Sequence, residues 1–127
     1  MRKQIRQVLK FHQLFQSHIG TLPSKEIPNK VKQTRIRLIK EETKELIRAI
    51  ESESVASIAK ELADVIYVVL GTVISFGLQD KFVSIFDKVH QSNLSKLDRN
   101  GTFQLEKSGQ KVQKGDTYEP PDIESIL

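Results

Sequence analysis

The feature that most constrains the fold is the apolar run VIYVVLGTVISFGL at residues 65–78. A helix built from this run is apolar almost all round, so it requires cover on several sides. The run is too short to cross a bilayer, for which about 20 apolar residues are needed. The sequence therefore predicts a buried core helix in an all-α protein that does not enter a membrane.

The rest of the pattern predicts four helices, because apolar residues recur at three- and four-residue spacing between glycine, proline and polar breaks. Gly20 is expected to end the first helix, and Gly77 to end the third. Asn29 and Ser54 are expected to cap the second and third helices. The predicted helices span about residues 2–19, 29–52, 55–77 and 80–97. Together they suggest a four-helix bundle-like fold.

The last thirty residues, about 98–127, differ in composition. They hold three of the six glycines and two of the four prolines, with the short β-prone pieces TFQL and QKV between them. Pro120 and Pro121 argue against a helix at that point. We expect a loop-rich tail, with a possible small hairpin, that folds over the helices and completes a single domain spanning residues 1–127.

The chain is basic overall, but its charge is unevenly distributed. Its formal net charge is +4, and it contains no cysteine, which excludes disulfides and thiolate metal sites and fits a cytoplasmic protein. Residues 1–40 hold ten Lys and Arg against one acid, whereas residues 41–64 hold seven acids against three bases. A basic protein with an acidic centre suits a polyanion held through cations better than a uniform DNA-binding surface.

The acidic centre contains EETKEL at residues 41–46 and ELAD at residues 61–64. Helical spacing places Glu42 with Glu45 on one face, and Glu61 with Asp64 on a face of the next helix. Two antiparallel helices with a short connection could bring both pairs to one level. Four carboxylates meeting there would repel one another unless a cation neutralised them.

Carboxylates without cysteine or a histidine pair favour a hard cation, Mg²⁺ or Mn²⁺, and Mg²⁺ keeps positions open for water and phosphates. The alternative is a solvated face, for which Lys40 and Lys44 provide ion-pair partners. ExxD is harder to dismiss in this way, because Glu61 and Asp64 adjoin the apolar run. From spacing alone, both interpretations stay open.

EExxE followed by ExxD resembles the signature of the MazG-like, all-α nucleoside triphosphate pyrophosphohydrolases, a superfamily that includes phosphoribosyl-ATP pyrophosphohydrolases and dimeric dUTPases. VHQSNLSKLDRNG at 89–101 and GQKVQKGDTYEPPDI at 109–123 resemble the later segments of the phosphoribosyl-ATP pyrophosphohydrolase-like branch. The resemblance covers most of the chain from Phe11 onward. It implies a MazG-type fold, a nucleotide substrate and a homodimer or homotetramer.

The resemblance also implies residue roles. Glu42, Glu45, Glu61 and Asp64 would ligate Mg²⁺, and Glu41 would be a further ligand or would orient the attacking water. The residues implied to bind substrate are Asn93, Lys96, Lys111, Lys114 and Tyr118. Each has an ordinary structural alternative: a helix-end charge, a solvated amide, surface lysines or a core-covering aromatic.

The expected function is a Mg²⁺-dependent pyrophosphohydrolase that cleaves between the α and β phosphates of a nucleoside triphosphate. Activity on phosphoribosyl-ATP or dUTP is the alternative within the family, and a relative that binds nucleotide without turnover is another. A basic nucleic-acid-binding helical module, using residues such as Arg6 and Arg35, is an alternative of a different class, but it does not explain Glu61 and Asp64. His12 and His18 are expected to be a helix-face and a helix-end histidine without chemistry, and a di-iron site at His90 is disfavoured because a second Glu-x-x-His is missing.

Overall fold

The computed structural model describes residues 1–52 and 54–127. These residues form four α-helices and no β-strand, which confirms the all-α prediction. Contacts divide the chain into two compact units, Met1–Asp80 and Lys81–Leu127. The helices are α1 (Arg2–Leu14), α2 (Asn29–Ser52), α3 (Val55–Ser75) and α4 (Phe82–Leu94).

Helix α1 ends at Leu14, earlier than predicted, and Gly20 does not end it. The chain leaves the helix at Gln16, whose φ of 56° lies in the left-handed region, and the Ser17 N–H donates to the carbonyl of His12 at 2.9 Å. Gly20 instead packs against the end of α3. Its N–H donates to the Ile74 carbonyl at 2.9 Å, and a Cβ at position 20 would lie 2.5 Å from the Gly77 nitrogen.

Helix α2 has the predicted bounds, although Asn29 is its first residue and not its cap. The predicted cap of α3 is confirmed, because the Ser54 hydroxyl accepts from the Ser57 N–H at 3.2 Å. Gly77 follows the end of α3 with a φ of 71°, a conformation that suits glycine. A Cβ at Gly77 would overlap the Leu22 carbonyl group. At the predicted break, residues 51–54, α2 ends at Ser52 and Ser54 caps α3. Glu53 lies outside the described residues.

Helix α3 packs against both α1 and α2 in the first unit. Its C-terminal part supplies half of the six buried apolar side chains, and α1 and α2 supply the other half: Ile5, Val8, Ala49, Leu70, Val73 and Ile74. The N-terminal half of α3 is less covered, and Leu62, Ile66 and Tyr67 remain more than 40% exposed. Among the described residues, the later turns of the apolar run are therefore covered on several sides, and its first turns are not.

The second unit consists of α4 and the C-terminal segment. Helix α4 ends at Leu94, earlier than the predicted residue 97, and the Ser92 hydroxyl donates to the Glu119 carbonyl at 2.7 Å. The possible hairpin is present as a single antiparallel bridge between Leu105 and Val112. Pro120 and Pro121 lie in irregular chain, as predicted. None of the helices in the described ranges is both long and apolar enough to cross a bilayer.

Candidate metal centre

Three carboxylates from two helices meet in the first unit. Glu42 comes from the middle of α2, and Glu61 and Asp64 come from the second and third turns of α3. One oxygen atom from each of the three lies within 4.8 Å of the other two. We call these three residues the carboxylate cluster. It contains three of the four residues that the family resemblance implied as ligands.

The cluster forms because α2 and α3 run antiparallel after a short connection. Helical spacing then places Glu42 opposite Asp64, and Glu61 lies one turn from Asp64 on the same face of α3. All three side chains are partly buried. The position of the cluster therefore follows from the register between the helices as well as from spacing within each.

Partial burial and mutual repulsion affect the ionisation of Glu42. Desolvation raises the pKa of the Glu42 carboxyl above its usual range, and the negative charges of Asp64 and Glu61 raise it further. Both causes disfavour the ionised form. A nearby cation would reverse the second cause and allow all three groups to be charged together.

Lys60 supplies one such cation. Its Nζ lies 3.0 Å from Glu61 Oε1 and 2.9 Å from Asp64 Oδ2. The hydrogen bonds to Asp64 and Glu61 raise the pKa of Lys60, so the ammonium stays charged at neutral pH. Lys60 was not among the site residues predicted from sequence, although its i,i+4 spacing to Asp64 was a usable signal. One ammonium balances only one of the three carboxylates.

The second oxygen of Glu61 tests whether these residues suit a divalent metal. Glu61 Oε2 is buried and has no hydrogen-bond partner among the described residues, and the Glu61 side chain is only 13% exposed. A buried carboxylate oxygen without a donor is costly. Oxygen ligands at this spacing fit Mg²⁺ or Mn²⁺, which would supply the missing positive partner.

The structure does not bring Glu41 and Glu45 into the carboxylate cluster. Glu41 pairs with Arg37 at 3.7 Å, and Glu45 pairs with Arg48 at 3.4 Å, both across exposed turns of α2. Such pairs are weak, because solvent screens them. The ligand role of Glu45 and the water-orienting role of Glu41 remain predictions.

The residues implied to bind substrate lie in the second unit. Lys96 Nζ donates to Asn93 Oδ1 at 2.9 Å, and Lys114 Nζ lies 4.8 Å from the centre of the Tyr118 ring. A hydrogen bond with Ser92 lowers the pKa of the Tyr118 phenol, and the charges of Lys114 and Lys96 lower it further. Lys96 and Lys114 both line a pocket of about 390 Å³.

Lys111 contributes to the hairpin through its main chain. Its carbonyl accepts from the Glu106 N–H at 2.8 Å, and its side chain is exposed. The structure thus leaves the Lys111 ammonium available to solvent, and its substrate-binding role remains a prediction.

Two histidines and one arginine that were named in the sequence predictions also have defined positions in the structure. His12 lies on a face of α1, as predicted; it is 2% exposed, and its Nδ1 lies 2.9 Å from the carbonyl of His18. His18 lies beyond the end of α1 and not at its last turn. Arg35, which the nucleic-acid alternative placed on a basic surface, is 9% exposed. The residue type gave no signal for burial at position 35, because arginine is rarely buried without a partner.

A sequence model of a known family, described as phosphoribosyl-ATP pyrophosphohydrolase, matches residues 8–93. The match covers more than half of the 127-residue chain and includes the whole carboxylate cluster and Asn93. It ends before Lys96, Lys111, Lys114 and Tyr118. A search of curated proteins finds no match.

Proposed function

Since the chain belongs to the phosphoribosyl-ATP pyrophosphohydrolase family, we propose that it is a Mg²⁺-dependent nucleotide pyrophosphohydrolase. The reaction is hydrolysis of the α–β phosphoanhydride of a nucleoside triphosphate to a nucleoside monophosphate and pyrophosphate. The observation that carries this proposal is the convergence of Glu42, Glu61 and Asp64 within 4.8 Å. Without a bound cation, that arrangement is electrostatically unfavourable.

Glu42, Glu61 and Asp64 would hold the metal through one oxygen each. A bound Mg²⁺ or Mn²⁺ supplies charge neutralisation for the phosphates and lowers the pKa of a coordinated water. The buried Oε2 of Glu61 supports this assignment, because it offers lone pairs that no donor among the described residues occupies. Partial burial also limits competing water around the three carboxylates.

Glu41 and Glu45 have proposed roles beside this cluster. Glu45 is one helical turn from Glu42 and would add a fourth carboxylate after leaving Arg48. Glu41 would orient the attacking water or act as a further ligand after leaving Arg37. Both ion pairs are exposed, so breaking either one costs little free energy.

Phosphate recognition is proposed for the polar residues of the second unit. Lys96, Lys111 and Lys114 would neutralise phosphate charge, and the Asn93 amide would bond a sugar or phosphate oxygen. Tyr118 would contact the nucleotide beside Lys114. The Lys96–Asn93 hydrogen bond supports a shared task for those two side chains.

A nucleoside triphosphate is our preferred substrate, with phosphoribosyl-ATP and dUTP as the alternatives. The proposed setting is the cytoplasm. The proposed assembly is a homodimer or homotetramer, supported by exposed apolar side chains on the long helices, such as Ile36, Ile50 and Ile66.

The test is pyrophosphate release with Mg²⁺ from ribo- and deoxynucleoside triphosphates and from phosphoribosyl-ATP. Wild type is compared with Glu42→Gln and Asp64→Asn, and Glu51→Gln is the matched control because Glu51 is an exposed glutamate near the end of α2. We expect turnover of one substrate class that falls at least about a hundredfold in both cluster variants and is unchanged in the control. Absence of pyrophosphate from every substrate, with all four proteins folded, would refute the proposal.

A further inference from the structure

A cavity of about 440 Å³ lies between α1, α2 and α3 in the first unit. Its volume falls within the range of about 300–1,000 Å³ typical of small-molecule sites. The walls are largely apolar and include Phe11, Leu38 and Val68, whereas the polar lining includes Arg35 and His12. No carboxylate is among the lining residues. We call this space the α1–α3 cavity.

Arg35 is the unusual member of that lining. Its Nε is buried and has no hydrogen-bond partner among the described residues, and none of the ion pairs in that part of the chain includes Arg35. Desolvation lowers the pKa of its guanidinium. A buried, unpaired guanidinium opposes folding, so its presence is better explained by a ligand than by stability.

The guanidinium has space because residue 71 is glycine. A Cβ at position 71 would lie 3.0 Å from Arg35 Nη2 and 3.1 Å from His12 Nε2. Both side chains therefore reach the same point on α3, within van der Waals distance of its backbone. Arg35 offers only N–H donors there.

His12, in contrast to Arg35, offers a hydrogen-bond acceptor. Its Nδ1 bonds the His18 carbonyl, which can only accept, so Nδ1 carries the proton. Burial lowers the pKa of His12 and favours the neutral ring. Nε2 of a neutral ring protonated at Nδ1 is an acceptor. The cavity thus presents donors and an acceptor side by side.

The α1–α3 cavity and the carboxylate cluster lie on the same faces of α2 and α3, at different levels along the two helices. Arg35 precedes Glu42 by seven residues on α2, and Gly71 follows Asp64 by seven residues on α3. Seven residues are about two helical turns, or roughly 10 Å along each axis. Leu38 and Val68 lie between the two levels and line the cavity.

We infer that the α1–α3 cavity binds the base of the substrate nucleotide and selects bases in which a carbonyl oxygen adjoins a ring N–H. This inference rests on the proposed function, because it assumes that the phosphates of the same nucleotide lie at the carboxylate cluster, about two helical turns away. The carbonyl oxygen accepts from Arg35, and the ring N–H donates to His12 Nε2. Uracil, thymine, guanine and hypoxanthine have this edge.

Adenine and cytosine lack the matching edge. Adenine carries no exocyclic oxygen, and its amino group directs N–H towards a guanidinium that can only donate. Cytosine has a carbonyl oxygen, but the adjoining ring nitrogen has no hydrogen. A buried donor left without an acceptor costs about 1–3 kcal/mol, so we expect roughly tenfold or greater discrimination.

The flat apolar part of a base matches the walls. Phe11 and Tyr67 both line the cavity and pack edge to face, with ring centres 5.6 Å apart. Aromatic faces of this kind contact heterocycles favourably. An inorganic anion alone would leave these apolar walls unused.

The experiment is isothermal titration calorimetry of the full chain in EDTA with uridine, guanosine, adenosine and cytidine 5′-monophosphates. Wild type should bind the uridine and guanosine nucleotides at least about tenfold more tightly than the other two. Arg35→Met should remove this preference while the chain stays folded. Equal binding of all four to wild type, or an unchanged preference in Arg35→Met, would overturn the inference.

Gly71→Ala provides a second variant that keeps Arg35 and His12. The new methyl group should displace the Arg35 guanidinium, because a contact of 3.0 Å between them would be tighter than ordinary packing. We expect the affinity for the uridine nucleotide to fall by at least about fivefold. Unchanged affinity in Gly71→Ala would count against Arg35 as the donor. Circular dichroism of each variant checks that the helices are retained.

The calorimetry requires neither metal nor turnover, so it separates this inference from the proposed function. If Asp64→Asn loses hydrolysis and keeps the base preference, the proposed function and the base-binding inference are both supported. If no substrate is hydrolysed and the preference is present, only the proposed function fails. If hydrolysis occurs and uridine monophosphate does not compete with the substrate, the assignment of the α1–α3 cavity to the substrate base fails alone.

Discussion

The Nζ atom of Lys60 lies 2.9 Å from Oδ2 of Asp64, so the carboxylate cluster holds a cation that belongs to the chain. Lys60 also contacts Glu61 and is 67% exposed. An exposed ammonium competes with a metal for the same oxygen atoms. Metal binding and the Lys60 ion pairs should therefore oppose each other.

We predict that Lys60→Met tightens Mg²⁺ binding by roughly two- to fivefold, the range typical of an exposed ion pair. Isothermal titration calorimetry with Mg²⁺ measures the change. Lys3→Met is the matched control, because Lys3 is an exposed lysine on α1. The substitution removes the same charge at a position away from the carboxylate cluster. Weaker Mg²⁺ binding in Lys60→Met would show instead that the ammonium holds the carboxylates in place.

Glu42→Gln should stabilise the metal-free protein and weaken its response to Mg²⁺. The pKa of Glu42 is raised in the folded state, so its ionisation opposes folding, and the stability that it contributes is lost as pH rises through the raised pKa. Glutamine is neutral at every pH. Thermal unfolding at pH 7 in EDTA should therefore show a higher Tm for the variant.

With Mg²⁺ at a hundred times its dissociation constant, wild type should gain about 2.7 kcal/mol in unfolding free energy. Glu42→Gln should gain much less, since one ligand is missing. Glu51→Gln tests whether any loss of acidic charge has the same effect. Equal Mg²⁺ stabilisation of wild type and Glu42→Gln would exclude Glu42 as a ligand.

Acid should destabilise the fold through His12. Its pKa is lowered in the folded state, mainly by burial, whereas the unfolded chain binds a proton near pH 6.5. Because the unfolded state binds more protons below that pH, stability falls as pH drops from about 6.5 and levels off below the folded-state pKa. Urea unfolding between pH 5 and 8 measures this slope.

His12→Gln should flatten the slope, since a glutamine amide can still donate to the His18 carbonyl but does not titrate in this range. His90→Gln is the control, because His90 is exposed on α4. A slope that persists in His12→Gln and disappears in His90→Gln would place the titrating group in the second unit.

Assembly should depend on the exposed apolar side of α3. Leu62 and Ile66 are one turn apart and about half exposed, so a second copy of the chain could cover both. Ile66→Asp is expected to shift a dimer or tetramer towards monomer in analytical ultracentrifugation. Leu22→Asp, an exposed loop position, should leave the mass unchanged, and an unchanged mass for Ile66→Asp would exclude this face as the interface.

Much of the fold could be predicted because the determining signals are local. The Ser54 cap, the glycine after α3 and the bounds of α2 each depend on a few neighbouring residues. The carboxylate cluster could be anticipated too, since Glu61 and Asp64 share a face and a short connection brings α2 alongside. Glu45 shows the limit of this reasoning, because spacing placed it with Glu42 but Arg48 competes for its carboxylate.

The α1–α3 cavity could not be predicted, because it depends on contacts between distant residues. Arg35 becomes buried only where Gly71 leaves space for it on α3, and neither residue signals the other in sequence. His12 becomes a core residue because the chain turns at Gln16 and brings the His18 carbonyl back to its ring. Left-handed backbone at a glutamine has no reliable sequence signature.

The close crossing of Gly20 and Gly77 has a genetic consequence. A Cβ at position 20 would meet the Gly77 backbone, and one at position 77 would meet the backbone of Leu22. In both cases the Cβ would overlap main-chain atoms, and a substitution elsewhere cannot make the main chain smaller. Suppressor screens starting from Gly20→Ala or Gly77→Ala should therefore recover mainly revertants, whereas defects in ordinary side-chain packing commonly admit second-site rescue.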